Sequence, residues 1–254
     1  MPHTRPISVH TSTYDTVDND TLLNVRRIRL ALERSPHAKT LPGAFLDRLA
    51  RLGRVERHTE GELIHAAWQP VHKLWLVLSG GLRVTQMDDH GHALTIAVLG
   101  EGSYFGSGSL VHDGEVEKSE AHAIGDTHLA VFGLAQLERE FATDKEMTQH
   151  RMRLLHRRFS ALTELYRDAL TVPLPQRLAR RLASQALAAG RGPEIELRGS
   201  QADLSQMLGA SRSRVNTELR RLELAGIVRV GYRKIVVRDL ELLRAAAGAD
   251  VMPL

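Results

Sequence analysis

The chain of 254 residues contains no cysteine. That excludes disulfides, iron–sulfur clusters on Cys ligands and any thiol switch. Nor is there a run near the roughly 20 apolar residues that span a bilayer. The opening stretch, MPHTRPISVH, lacks the apolar core of a secretory signal. These absences together predict a cytoplasmic protein with no membrane partner. Phosphate loops, Ser/His/Asp sets and paired carboxylates are missing as well, so an enzyme is not predicted. Lysine is scarce where basic charge is densest. Residues 151–254 hold 19 Lys+Arg, of which only Lys234 is Lys, against 10 Asp+Glu, a net of +9. Residues 1–150 hold 15 against 20, a net of −5. A basic, Arg-rich part joined to an acidic part predicts a polyanionic partner for one domain only.

Within the basic part, residues 200–222 read SQADLSQMLGASRSRVNTELRRL. Ser200 is a good N-cap, with Asp203 three residues on as an acidic variant of the capping box. Leu204 and Leu208 make one side of a short helix apolar, Gly209 supplies a tight turn, and Ser211 caps a second helix. On that second helix Val215, Leu219 and Leu222 share a buried face. The opposite face carries Ser213, Thr217 and Arg220, flanked by Arg214, Asn216 and Arg221. Such a helix suits a DNA major groove, where its side chains donate to phosphates and base edges. Further on, Gly231-Tyr232-Arg233-Lys234 reads as a hairpin tip whose two cations suit phosphate contact.

SRSRVNTELRRLELAGIV, followed by VGYRKIVV, resembles the winged helix-turn-helix of the CRP/FNR family of bacterial transcription regulators. The resemblance covers about residues 41 to 245, and the first 40 have no counterpart in it. In that family an Arg, a Glu and a second Arg of the recognition helix read bases. Arg212 stands at the first of these positions, Ser213 where Glu is usual and Thr217 where the second Arg is usual. The resemblance therefore implies DNA binding through Arg212, Ser213, Arg214, Asn216, Thr217, Arg220, Arg221, Arg233 and Lys234, at an operator unlike the family's usual one.

In chain order, residues 1–20 are polar and read as a mobile arm. Leu22 to Leu32 has helical spacing, stopped by Pro36, and Pro42 to Leu52 gives another short helix. From Arg54 the period shortens. Leu74 to Leu78, then Leu82 and Val84, then Leu94, Ile96 and Val98, are strand-like runs separated by turn clusters, Ser79-Gly80-Gly81 and Asp88-Asp89-His90-Gly91 among them. Leu134 to Phe141 is helical, and Thr143-Asp144-Lys145-Glu146 forms a capping box for a long helix. Along it Met152, Leu155, Phe159, Leu162, Tyr166 and Ala169 recur at alternating spacings of three and four, a heptad seam that predicts a dimer. Thr171-Val172-Pro173-Leu174-Pro175 breaks that helix, Leu174 to Ala189 begins another, and the tail from Ala245 reads as frayed.

The predicted fold is α+β. Residues 1–40 form an extension, partly mobile; residues 41–142 a jelly-roll-like β-roll sensor, akin to a cyclic-nucleotide-binding domain; residues 143–171 a dimerisation helix; and residues 172–254 the winged helix-turn-helix. Partners implied are double-stranded DNA, a second copy of the chain and RNA polymerase.

Cyclic-nucleotide-binding members of the family carry FGE and, later, RS or RT. The matching stretch here is Phe105, Gly106, Ser107, Gly108 and Ser109, then Lys118 and Ser119. Ser107 replaces the Glu that takes the ribose hydroxyl. Lys118 replaces the Arg that clamps the phosphate, and it offers a point charge instead of a fork. Two losses of about 1–3 kcal/mol each argue against cyclic AMP. His90-Gly91-His92 has a metal-like spacing, but it sits in a turn with no third ligand, so no metal is predicted. The 13 His, among them His3, His65, His72 and His122, leave haem open without singling out a ligand. Two rival readings are a cyclic-nucleotide module with secondary DNA contact and a cupin-type metalloenzyme. Neither needs the basic helix pair.

Overall fold

The computed structural model describes residues 14–38, 41–87, 93–110, 116–189 and 192–248. Helix α1 spans Tyr14–Arg34 and α2 spans Gly43–Leu52. Residues 14–20, expected in a mobile arm, are helical instead. Ile28 and Leu32 of α1 are fully buried with Phe45, Leu46 and Leu49 of α2, so this helix belongs to the first core. Outside the pair, Arg29 Nε donates to Asp47 Oδ1 at 2.7 Å.

Eight strands follow: β1 (Arg54–His58), β2 (Leu63–His65), β3 (Gln69–Pro70), β4 (Lys73–Met87), β5 (Ala93–Leu99), β6 (Tyr104–Phe105), β7 (Val116–Glu117) and β8 (Glu120–Gly133). The main sheet runs β1-β8-β4-β5, with β2 added on β8 and β6 on β4, while β3 and β7 pair separately. The antiparallel β4/β8 ladder, from Lys73↔Gly133 to Thr85↔Glu120, is its spine. Ser79-Gly80-Gly81, expected as a turn, lies inside β4 and shifts the register instead of reversing the chain. Gly80 has φ 81, and a Cβ there would collide with Thr127 Oγ1. Thr127 Oγ1 in turn accepts from Gly81 N at 3.2 Å and donates to Gly81 O at 3.1 Å, which holds the two strands together through the bend. Leu76, Leu82, Leu129 and Phe132 fill the interior.

After α3 (Leu134–Phe141) comes α4 (Lys145–Thr171). Its cap is Asp144 alone, accepting from Glu146 N at 2.9 Å and Met147 N at 3.4 Å; the expected box from Thr143 to Glu146 starts one residue early. Val172 is extended, and α5 (Leu174–Ala189) begins directly after Pro173. Pro175 therefore does not break anything: it sits in the first turn of α5, where no intrahelical N–H is required. Then follow β9 (Ile195–Arg198), α6 (Gln201–Met207), α7 (Arg212–Leu224), β10 (Val228–Gly231), β11 (Lys234–Val237) and α8 (Leu240–Ala247), the three strands ordered β10-β11-β9. Of the tail expected to fray from Ala245, residues 245–247 are the end of α8, and residues 249–254 lie outside the described residues. Asp239 caps that helix, Leu243 and Ala247 are fully buried in the second core, and Gly248 at φ 67 ends it.

The two cores meet where α6 rests on β5. Leu94 and Ile96 mark β5 as a strand but are exposed, whereas Thr95 between them is buried toward α6. Thr95 N donates to Gln206 Oε1 at 2.9 Å and Thr95 Oγ1 to Asp203 Oδ1 at 3.2 Å. Arg83 of β4 reaches the same carboxylate, Nε to Oδ1, at 2.7 Å. Across the bend at 172–173, Arg180 of α5 bonds Asp168 of α4 at 2.6 Å.

Candidate nucleic-acid interface

The helix pair is positioned by its caps. Ser200 Oγ accepts from Asp203 N at 3.1 Å, and Ser200 N donates to Asp203 Oδ2 at 2.7 Å, closing a capping box on α6. Gly209 turns the chain at φ 58, and Ser211 Oγ accepts from Arg214 N at the start of α7. Val215 and Leu219 are buried, which fixes which side of α7 faces outward.

On that outer side Arg212, Ser213, Arg214, Thr217, Arg220 and Arg221 are exposed. Asn216 is not: it is half-buried, and its Oδ1 is covered without a hydrogen-bond partner. At about 100° per residue Asn216 falls beside the buried stripe, which the wheel alone leaves at its edge. Thr217 Oγ1 donates to Ser213 O at 3.0 Å, so its hydroxyl is left as an acceptor.

The cations divide into two groups. Arg212, Arg214 and Arg220 form no ion pair among the described residues. Arg221 bonds Glu218 at 2.9 and 3.1 Å, Lys234 bonds Glu196 at 2.8 Å, and Arg233 bonds Glu60 of the β-roll at 2.5 Å. Arg233 holds φ 54 at the hairpin tip, an uncommon region for a residue with a Cβ.

The heptad residues Met152, Leu155, Phe159, Leu162 and Tyr166 are all exposed on α4, Phe159 at 71% and Leu162 at 65%. Leu165 and Leu170 widen the strip; they lie off the strict seam, which is why spacing did not pick them out. On the inward side of the same helix Met147, His150 and Leu154 are buried, Met147 and Leu154 within the first core.

The residues expected to meet a cyclic nucleotide are only partly brought together. Phe105 and Ser107 are buried, and Ser107 Oγ has no hydrogen-bond partner. Gly106, at φ 80, passes so close to Lys73 O that a Cβ would lie 2.6 Å from it. Gly108 and Ser109 continue into a short 3-10 turn, Ser107–Leu110. Lys118 is exposed, its Nζ 5.9 Å from the ring centroid of Trp68, and Ser119 Oγ accepts from Gln86 Nε2 at 3.1 Å. His65, Trp75 and Phe105 form an aromatic cluster with centroids 5.6–5.8 Å apart. Burial holds His65 below the ordinary imidazole value, outweighing its bond to the Gln69 backbone. His90 and His92 lie outside the described residues, among which no three His, Asp or Glu form a metal-binding group. No described helix is long and apolar enough to cross a membrane.

Sequence reasoning missed Arg83, Thr95, Gln206 and Glu60, which tie the β-roll to the basic domain. Each is an ordinary polar residue in its own stretch, and its partner lies more than 100 positions away.

The family model of the Crp-like helix-turn-helix domain matches residues 176–246, and that of the cyclic nucleotide-binding domain matches residues 55–144. The Cyclic AMP receptor protein of Thermus thermophilus is 31% identical over 178 residues, 68% of this chain and 79% of that protein. A CRP-like cAMP-activated global transcriptional regulator of Mycobacterium tuberculosis is 24% identical over 74% of this chain and 85% of its own. Among solved structures, FixK2 of Bradyrhizobium japonicum superimposes with a TM-score of 0.67 at 20% identity, over 78% of this chain and 99% of that one. TTHA1359, a transcriptional regulator of the CRP/FNR family from Thermus thermophilus, does so with a TM-score of 0.58 at 22% identity, over 77% and 99%. With both domain families matched in order, and a relative above 30% identity spanning two thirds of the chain, this protein belongs to the CRP/FNR family of DNA-binding transcription regulators.

Proposed function

We propose that this regulator binds a two-fold symmetric operator as a homodimer, with α7 of each subunit in a major groove, under the control of an effector other than cyclic AMP. The observation that carries the reading is the outer face of α7, where Arg212, Arg214 and Arg220 stand exposed and, among the described residues, without an ion pair. Three such cations on one helix favour a polyanion. The exposed strip from Met152 to Tyr166 supports pairing through α4, because a soluble helix rarely leaves so many large apolar groups in water.

Ser107 and Lys118 support the effector part. A neutral hydroxyl stands where a carboxylate would take the ribose hydroxyl, and an ammonium over Trp68 stands where a guanidinium fork would clamp the cyclic phosphate. Selection of bound DNA from a random pool, by purified protein with and without cell extract, tests the reading. An enriched sequence with inverted half-sites roughly 34–36 Å apart supports it. Enrichment of an asymmetric site, or none, overturns the operator reading. Micromolar binding of cyclic AMP in calorimetry, joined to tighter DNA binding, overturns the effector reading in favour of a cyclic-nucleotide-responsive regulator, the reading that the matched cyclic nucleotide-binding family favours.

A further inference from the structure

Between the two domains lies a cleft of about 340 Å³, walled by β5 and the turn after it on one side and by α5 and β9 on the other. That volume falls within the range of small-molecule sites. Ile96, Val98 and Leu99 give it apolar surface from one wall and Ala188, Ala189 and Leu197 from the other, beside the polar Gln185 and Arg198. Arg181 of α5 lines it and is half-buried. Among the described residues, the hydrogen-bond partner of this guanidinium is Met207 Sδ, reached from Nη2 at 2.9 Å, and its buried Nε has no partner. A thioether is a weak acceptor, so among the described residues the charge is left without a counter-ion. Burial pushes the group's pKa down to about 10. The acids around the cleft do not supply the missing partner. Glu196 is taken by Lys234 and Glu194 by Arg229 and Arg238, while Glu101 is exposed.

We propose that this cleft binds a small amphipathic anion, its apolar body between β5 and α5 and its carboxylate or phosphate head on the fork of Arg181. Because the two walls belong to different domains, the bound anion holds α5 against β5 and fixes how the basic domain sits on the β-roll. The site lies apart from Ser107 and Lys118 and does not depend on how α7 reads DNA.

Calorimetry on the full chain without DNA tests it, using hexanoate, hexyl phosphate and the neutral control hexanol. At least one of the two anions should bind saturably, and which one does identifies the head. Hexanol should bind at least about tenfold more weakly, since it forms no charge-assisted fork. Arg181→Gln should weaken the anion by about tenfold or more. Ala188→Trp, which fills the cleft and leaves Arg181 in place, should abolish binding, and it decides the matter if Arg181→Gln fails to fold. The proposal is overturned if neither anion binds at about 5 mM. It is equally overturned if hexanol binds as well as the anions, or if a folded variant keeps full affinity.

Discussion

Arg233, at the tip of the β10–β11 hairpin, donates from Nη1 to Glu60 Oε1 of the β-roll at 2.5 Å. A cation suited to a phosphate is thus held by a carboxylate of the β-roll. Both side chains are more than two-fifths exposed, so the pair contributes no more than about 1 kcal/mol. Glu60→Gln should therefore raise affinity for any DNA sequence by up to about fivefold at low salt. The gain should fade as screening grows, because the attraction between Arg233 and the duplex fades with it. Fluorescence titrations of both proteins at two salt concentrations would show this. Equal affinities at low salt would mean that the hairpin does not reach the phosphates.

Asp203 serves two structures at once. It closes the capping box of α6 with Ser200 and receives Arg83 from β4. Burial alone would raise its pKa, but the bonds from Arg83 and Ser200 outweigh that and hold the carboxyl below the ordinary range. Its contribution is present above its unfolded pKa and is lost as pH falls through the lower folded value. Ser200→Ala removes only a cap and should cost about 1 kcal/mol. Asp203→Ala also strands Arg83 and should cost about 3 kcal/mol or more. Urea unfolding at neutral pH separates the two variants, and equal losses would show that the inter-domain bond contributes nothing.

What was legible in the sequence follows the range of the forces involved. The α6–α7 pair, its caps at Ser200 and Ser211 and the buried Val215 and Leu219 are set within a few residues of one another, and local rules recover them. The heptad strip on α4 was equally legible, since one helical period generates it. Gly80 shows the limit. Glycine permits both a reversal and a bulge, and only the Thr127 hydroxyl, 47 positions on, selects the bulge. Thr95 shows another. Its neighbours Leu94 and Ile96 carry the apolar alternation, yet it is the hydroxyl that turns inward, because Asp203 waits on a different domain. The pairing of Arg221 with Glu218 is local, at three residues on a helix, and could have been read from spacing alone.

His150 and His37 make the fold sensitive to mild acid. His150 is buried on α4, and its pKa is lowered to about 4, first by burial and then by Arg153, His37 and Arg157. Burial, then Arg157 and Arg158, lower His37 to about 4 as well. Between the unfolded value near 6.5 and 4, the unfolded chain takes up protons that the folded chain refuses, so stability falls as pH falls through that window. For His150 alone the full loss would be about 3 kcal/mol, and the two His repel one another, so their losses do not add. Urea unfolding between pH 7.5 and 4.5 should show a shallower decline for His150→Gln than for the parent protein. Identical slopes would place the acid sensitivity elsewhere.

Leu162, near the middle of the exposed strip, tests the dimer. An aspartate there is harmless in a single chain, where the position is 65% exposed, but in a paired α4 it would be a buried charge without a partner. Leu162→Asp should sediment as a monomer with an unchanged circular dichroism spectrum, and should lose binding to a two-fold site. A variant that remains dimeric would place the interface on another face.

The last expectation separates the residue that reads bases from those that position the helix. Arg212 opens α7, is exposed and has no ion pair among the described residues. First-turn residues of a recognition helix enter the groove, and Arg to guanine is the commonest specific contact, worth about 1–3 kcal/mol of discrimination. Arg221 lies more than two turns further on and is held by Glu218 at 2.9 Å. To reach a phosphate it must leave that carboxylate, an exchange worth only a few tenths of a kcal/mol at an exposed helix pair. Arg212→Ala should therefore flatten the preference at one symmetric base pair. Arg221→Ala should instead weaken all sequences alike and reduce the dependence on salt, by roughly one unit of slope for each phosphate that Arg221 neutralises. Glu218→Gln, which frees Arg221, should tighten all sequences slightly and leave base preference intact. Titration of the three variants against single-base operator variants at several salt concentrations distinguishes these outcomes. If base preference survives Arg212→Ala and is lost in Arg221→Ala, the reader lies at the other end of the helix, and α7 crosses the groove in the opposite sense.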